Sequence, residues 1–236
     1  MTLLRSTLFN LYFFLLTFVL TVALATPVRF LAPDRTLGVA MLWARLLVAG
    51  LRVICGIRLS VQGLEHLGPG PALIASTHQS AFDTFVWLTL VPRCCYVLKQ
   101  ELLRIPLFGP LMPLAGMIAV DRRGGAGAMR RLMREGERAV REERQIIIFP
   151  EGTRAPVGQH LPLQPGTAAL AAKTRLPVIP VVTDSGRCWG RRAFQKRPGT
   201  IHIRLLEPLS PGAGREQLMH RLAQVFRHES VENPVG

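Results

Sequence analysis

The chain has 236 residues, 29 of them Lys or Arg against 15 Asp or Glu, for a formal net charge of +14. That length accommodates one α/β domain with a proper core plus an appendage, and is short for two domains. Only Lys99, Lys173 and Lys196 are lysines, so arginine carries the excess, and arginine's planar fork suits phosphate groups, whether of nucleic acid, an anionic membrane or a phosphorylated substrate.

The aromatic residues weaken the first of these partners. Tyr12 and Tyr96 are the only tyrosines, and aromatics concentrate near the N-terminus, so base-stacking platforms interleaved with basic residues are missing and no nucleic-acid partner is expected. Cys55, Cys94, Cys95 and Cys188 show no CxxC or metal-ligand spacing, which predicts reduced thiols, a cytoplasmic setting and no metal site.

In chain order, the first feature is an uncharged run over residues 6–28. As a helix it spans roughly 35 Å, against about 30 Å for a bilayer's hydrocarbon core. Ala23-Leu24-Ala25 resembles a cleavage site, but the apolar run exceeds the usual signal-peptide core of about 7–15 residues, which favours a retained anchor. A second apolar stretch, residues 37–55, carries Arg45 and Arg52 on one helical face. That pattern suits a helix in or dipping into the interface with its arginines snorkelling. Residues 1–57 are therefore expected to form hydrophobic membrane-anchor helices and residues 58–236 a catalytic domain, on the cytoplasmic face of the cell's inner membrane.

Beyond Gly56, short apolar runs alternate with helical patterns. Strands are expected at 72–76, 94–98, 117–120, 145–149, 178–182 and 200–206, and helices at 81–90, 128–143, 167–174 and 215–228. The arginines of the 128–143 helix read as a solvated, salt-bridged face. This alternation predicts an α/β fold, a largely parallel sheet flanked by helices.

Three polar clusters follow predicted strands directly, where open α/β sheets place their sites. In Thr77-His78-Gln79-Ser80-Ala81-Phe82-Asp83, His78 and Asp83 would diverge by roughly 140° on one continuous helix. They meet only if they straddle a helix start, and Ser80 followed by Asp83 resembles a capping box that leaves His78 in the preceding loop. The Asp83 carboxylate then fixes the imidazole tautomer so that the other ring nitrogen accepts a proton. A plain helix cap beside a satisfied polar histidine would give the same spacing. The second cluster is Asp121-Arg122-Arg123, and the third Phe149-Pro150-Glu151-Gly152-Thr153-Arg154, where Gly152 permits close backbone approach and Arg154 offers a phosphate fork. Surface turns with ion pairs are the alternative for both. No Gly-x-Ser-x-Gly elbow occurs, which argues against serine hydrolysis.

THQSAFD, GMIAVDR, FPEGTRA and LPVIPV resemble, in order and spacing, the four motifs of the 1-acyl-sn-glycerol-3-phosphate acyltransferases, the glycerolipid acyltransferase family. Lys99-Gln100-Glu101-Leu102 with Ile105-Pro106-Leu107-Phe108-Gly109 is similar to the bacterial branch. The resemblance implies the glycerolipid acyltransferase fold, with His78 as catalytic base and Asp83 as its orienting carboxylate. It also implies acceptor-phosphate binding by Arg122, Glu151, Gly152, Thr153 and Arg154, with Lys99 and Pro180 as candidate substrate-lining residues. The expected reaction is acyl transfer from acyl-ACP or acyl-CoA to the sn-2 hydroxyl of lysophosphatidic acid, giving phosphatidic acid, with no cofactor and membrane lipids as surroundings. Another lysolipid, such as lyso-ornithine lipid, is the alternative acceptor. The chain departs from the family pattern at Thr77, Ala155 and the stretch Leu163-Gln164-Pro165-Gly166, which bears on the choice of acceptor.

Overall fold

In the computed structural model, residues 1–121 and 124–229 are described; Arg122 and Arg123 lie outside them. Two long helices open the chain, α1 over Thr2–Leu31 and α2 over Pro33–Cys55, with mean hydropathies of 2.2 and 1.8. Each is long and apolar enough to cross a membrane. Leu4, Leu8, Leu11, Leu15, Phe18 and Val22 are all exposed, and their spacing of three and four residues lines them along one side of α1.

The opposite side of the hairpin packs on the rest of the molecule. Phe9, Ala44, Leu47, Leu51 and Cys55 belong to the same core cluster as strand and helix residues of the sheet domain. Trp43 lies 5.8 Å from Phe85 and 5.7 Å from Phe108, ring centre to ring centre, and the hairpin's own arms are tied by Tyr12 Oη donating to the Leu46 carbonyl at 2.8 Å. Lys196 reaches up from the domain. Its ammonium donates to Asn10 Oδ1 and to the Phe194 carbonyl and stands 4.7 Å from the Trp189 ring centre, while its main-chain N–H donates to Ser6 Oγ. Burial pushes this lysine's pKa down, a cost that the oxygen partners and aromatic faces offset.

The hairpin ends at Gly56, whose φ of 70° is the left-handed conformation glycine adopts readily and which commonly ends a helix. The strands that follow are β1 (Ile57–Gln62), β2 (Ala72–Ser76), β3 (Cys94–Lys99), β4 (Ile118–Val120), β5 (Gln145–Ile148), β6 (Val178–Thr183) and β7 (Gly199–Leu205). Helices α3 (Asp83–Leu90), α4 (Gly125–Arg141), α5 (Gly166–Thr174) and α6 (Arg215–His228) alternate with them. The sheet order is β1-β7-β6-β2-β5-β3-β4, parallel except where β7 returns antiparallel along β6. The strands of β2 and β6 are buried throughout, as expected for a sheet covered on both faces. The largely parallel α/β architecture expected from sequence is the one observed.

Two differences have local causes. The first strand, β1, was not expected; its sequence IRLSVQ shows a mixed burial pattern on the sheet's edge, so it lacks the apolar run that marks a central strand. Helix α3 begins at Asp83 rather than residue 81, because the preceding turn is held by side-chain bonds at Ser80 and Asp83. On α4, Arg138 pairs with Glu135 and Glu142, in keeping with a salt-bridged face.

Candidate active site

β2 lies between β6 and β5, so the loops after these three strands are neighbours at their carboxyl ends, the place where open α/β sheets bind ligands. The loop leaving β2 carries His78. Thr77 fixes its start, donating its N–H to the Val181 carbonyl at 2.9 Å and accepting the Thr183 N–H on Oγ1 at 3.0 Å. Its end is fixed at the beginning of α3, where Ser80 Oγ accepts the Phe82 N–H. Asp83 reaches back to accept the main-chain N–H groups of Gln79 at 2.8 Å and Ser80 at 2.9 Å on Oδ2.

The same Oδ2 lies 3.0 Å from His78 Nδ1. Both residues are buried, and the contact places the ring proton on Nδ1, leaving Nε2 as the acceptor nitrogen. The histidine and aspartate expected to meet across a helix start do so.

The loop after β5 surrounds His78 from the other side. Glu151 Oε2 accepts the His78 main-chain N–H at 2.8 Å. Ala155 donates its N–H to the His78 carbonyl at 2.7 Å, and the Phe149 ring stacks on the imidazole at 4.1 Å between centres. The loop can turn this tightly because Gly152 sits at φ 69°, a conformation strained for residues with a Cβ. Burial raises the Glu151 pKa to about 7; the His78 N–H bond pulls it back down and the nearby Asp83 charge adds a smaller increase. Sequence reasoning grouped Glu151 with the acceptor-binding residues; its hydrogen bond to the histidine's backbone joins residues far apart in the chain and leaves no local signal.

The remaining predicted residues fall at varied distances. Thr153 is exposed and Arg154 half-buried. Lys99 is exposed at the end of β3, two strands from β2 and hence about 10 Å away laterally. Pro180 is buried in β6, level with Ala75, three residues short of His78. Its carbonyl accepts the Leu206 N–H just past the end of β7, so the missing proline N–H faces the point where that neighbour stops, which is why a proline is tolerated inside the sheet. Arg122 lies outside the described residues. A small cavity beside the histidine loop has a mixed lining, with Thr77, Gln79, Glu151 and Arg187 alongside the apolar Val157 and Phe226.

A carboxylate-paired histidine at the carboxyl edge of a largely parallel sheet, with an apolar helical hairpin packed on the same domain, is the arrangement that the resemblance to the glycerolipid acyltransferases led us to expect. The chain belongs to the Acyltransferase family, whose family model matches residues 58–184. Among its relatives is the 1-acyl-sn-glycerol-3-phosphate acyltransferase of Pseudomonas aeruginosa, 38% identical over 161 residues, an alignment that covers 68% of this chain and 63% of that protein. The human 1-acyl-sn-glycerol-3-phosphate acyltransferase alpha is 30% identical over 205 residues, covering 81% of this chain and 72% of the relative. The chain thus spans somewhat under two thirds of the bacterial relative's length. The crystal structure of the 1-acyl-sn-glycerophosphate (LPA) acyltransferase from Thermotoga maritima shares the fold, with a TM-score of 0.79 at 22% identity over the whole of both chains.

Proposed function

We propose that the protein transfers a fatty acyl group from an acyl thioester to the sn-2 hydroxyl of 1-acyl-sn-glycerol-3-phosphate, giving phosphatidic acid in phospholipid synthesis. The observation that carries this reading is the His78 Nδ1 to Asp83 Oδ2 contact of 3.0 Å, which leaves Nε2 free to accept a proton, in a chain whose relatives are named for this reaction.

In this mechanism His78 Nε2 removes the proton from the acceptor hydroxyl as that oxygen attacks the thioester carbonyl. The new C–O ester bond forms, the C–S bond breaks, and the imidazolium returns the proton to the departing thiolate. Asp83 holds the imidazolium through Nδ1–H, while Arg154, together with Arg122, binds the acceptor phosphate and brings the hydroxyl within reach. Thr153, beside Arg154 in the same loop, joins it in binding the acceptor, and Lys99 and Pro180 are the candidate substrate-lining residues. The donor, acyl-ACP or acyl-CoA, supplies the leaving group, and the chemistry calls for no further cofactor. The exposed stripe on α1 seats the hairpin in the cytoplasmic face of the inner membrane, where the lysolipid resides.

The test is to incubate purified full-length protein with labelled acyl-CoA or acyl-ACP and a panel of lysolipids, resolving products by mass. Phosphatidic acid formed from lysophosphatidic acid ahead of other acceptors is expected. Turnover of lyso-ornithine lipid or another acceptor in its place would overturn the assignment.

A further inference from the structure

His78 is oriented in two perpendicular directions. Asp83 acts in the plane of the imidazole, at Nδ1, whereas the Phe149 ring lies against its face, 4.1 Å between centres and 17° from parallel. Behind Phe149 stands Tyr96, stacked at 6.1 Å and 28°, and Tyr96 is itself fixed. Its hydroxyl donates to the Asp83 carbonyl and accepts the Trp87 N–H, both at 3.1 Å. The histidine therefore leans on a two-ring stack tied to α3, the helix that also begins with Asp83.

The face of a phenyl ring carries negative charge density, so it attracts an imidazolium more strongly than a neutral imidazole. Only interactions that strengthen in the transition state accelerate a reaction, and the imidazolium is the species His78 becomes as it takes the acceptor proton. The titratable groups facing His78 from the packed elements are Asp83 from α3, Glu151 from the loop after β5, and Tyr96 from β3 behind the ring. Burial raises the Tyr96 pKa, which keeps it neutral. Phe149 acts on the one direction that none of these groups covers.

We propose that Phe149 is a positioning residue for the acyl-transfer reaction, fixing the plane of His78 and stabilising its protonated form by stacking. This rests on His78 being the general base. The Phe149 side chain carries no group that binds phosphate, so its effect should fall on turnover and not on acceptor affinity.

The experiment compares the wild-type full chain with Phe149→Leu and Phe149→Tyr, measuring kcat and KM for lysophosphatidic acid and for acyl-CoA across pH. Leu keeps the bulk and removes the π face. The expected result is a kcat lowered by about 2–30-fold in Phe149→Leu, both KM values within twofold of wild type, and recovery in Phe149→Tyr. Because a less stabilised imidazolium loses its proton more easily, the acid limb of the profile should move to lower pH, by about half to one and a half units. A lowered kcat with an unmoved acid limb would assign Phe149 a merely structural role and overturn the proposal. So would unchanged turnover, or a loss confined to KM. If the wild-type protein turns over no acyl acceptor, the reading of the function fails and not the stack. The stack is then judged by NMR titration of the His78 ring, assigned with His78→Gln, where an unchanged midpoint in Phe149→Leu overturns it.

Discussion

Glu151 Oε2 sits 2.8 Å from the main-chain nitrogen of His78, 73 residues away in sequence, so the carboxylate grips the backbone of the very residue whose ring Asp83 orients. With Ala155 bound to the other side of the same residue, the loop after β5 holds both main-chain polar groups of His78. We therefore expect a glutamate in this position to act on the reaction through the histidine. Glu151→Ala should lower kcat by roughly 5- to 150-fold, the scale of a buried N–H left without its partner at about 1–3 kcal/mol, with little change in acceptor KM. Glu151→Gln keeps an acceptor oxygen for the N–H and should restore most of the turnover. A rise in acceptor KM with kcat preserved would return Glu151 to the acceptor site.

The same carboxylate gives stability a pH dependence. Burial raises its pKa to about 7, above the ordinary glutamate value of about 4.3, so the folded state holds a proton that the unfolded chain releases. The associated stability is present below about pH 4 and is lost as pH rises toward about 7. The loss is at most about 4 kcal/mol. Thermal unfolding of the wild type should show that decline between about pH 4 and 7, and Glu151→Gln should flatten it; parallel curves for the two proteins would refute the assignment.

How the sequence foretold this site, and how it did not, follows from the range of each contact. The turn from His78 to Asp83 is local, and the Ser80 and Asp83 side chains that hold it lie within a few consecutive residues, although the helix starts at Asp83 and not directly after a Ser80 cap. The apolar runs of β2, β5 and β6 are equally plain, because strands buried on both faces must be continuous in apolar residues. Nothing in FPEGTRA, by contrast, announces that its Phe stacks on His78 or that its Glu takes the histidine's N–H, since both depend on β5 lying beside β2. Likewise Phe9 reads as one apolar residue of an anchor, yet it is fully buried among domain residues, and Lys196 gives no sign of its bond to Asn10.

His78→Ala and Asp83→Asn should each reduce turnover about 10²–10⁴-fold. Asp83→Asn carries a second expectation, because Oδ2 also accepts the Gln79 and Ser80 N–H groups at the start of α3. An amide oxygen can still cap those donors, but it then presents no charge to Nδ1–H. Melting temperature should therefore fall modestly while activity falls steeply; turnover near wild type in His78→Ala would exclude the base.

Removing the hairpin is a poor test of anchoring, since deletion through Arg35 would also take Phe9 out of the core and Ser6 and Asn10 from Lys196. Leu11, Leu15 and Phe18 are 66%, 59% and 60% exposed, so their replacement leaves those contacts in place. The triple variant Leu11→Ser, Leu15→Ser, Phe18→Ser should sediment less with lipid vesicles while unfolding at the wild-type temperature. Undiminished vesicle binding would place the membrane contact elsewhere.

The last prediction is that acyl transfer is direct, without a covalent acyl-enzyme. A two-step route needs a nucleophile activated by a neighbouring base, and the four cysteines are the strongest nucleophiles in the chain. All four are free and buried. Burial raises the pKa of Cys94, and that of Cys95 to about 12, while Cys188 is raised by burial and then by Asp184. The thiolate is the reactive form, so these environments disfavour attack on a thioester at neutral pH. The hydroxyls nearest His78 in sequence are already engaged: Thr77 Oγ1 accepts the Thr183 N–H and Ser80 Oγ the Phe82 N–H. The acceptor hydroxyl is then the group that His78 activates, and both substrates must be bound together. Incubation with acyl-CoA alone should leave the intact mass of the protein unchanged, and replacement of all four cysteines by alanine should leave the chemical step largely intact in protein that still folds. A stoichiometric acyl adduct that forms and discharges at the turnover rate would establish the two-step route instead.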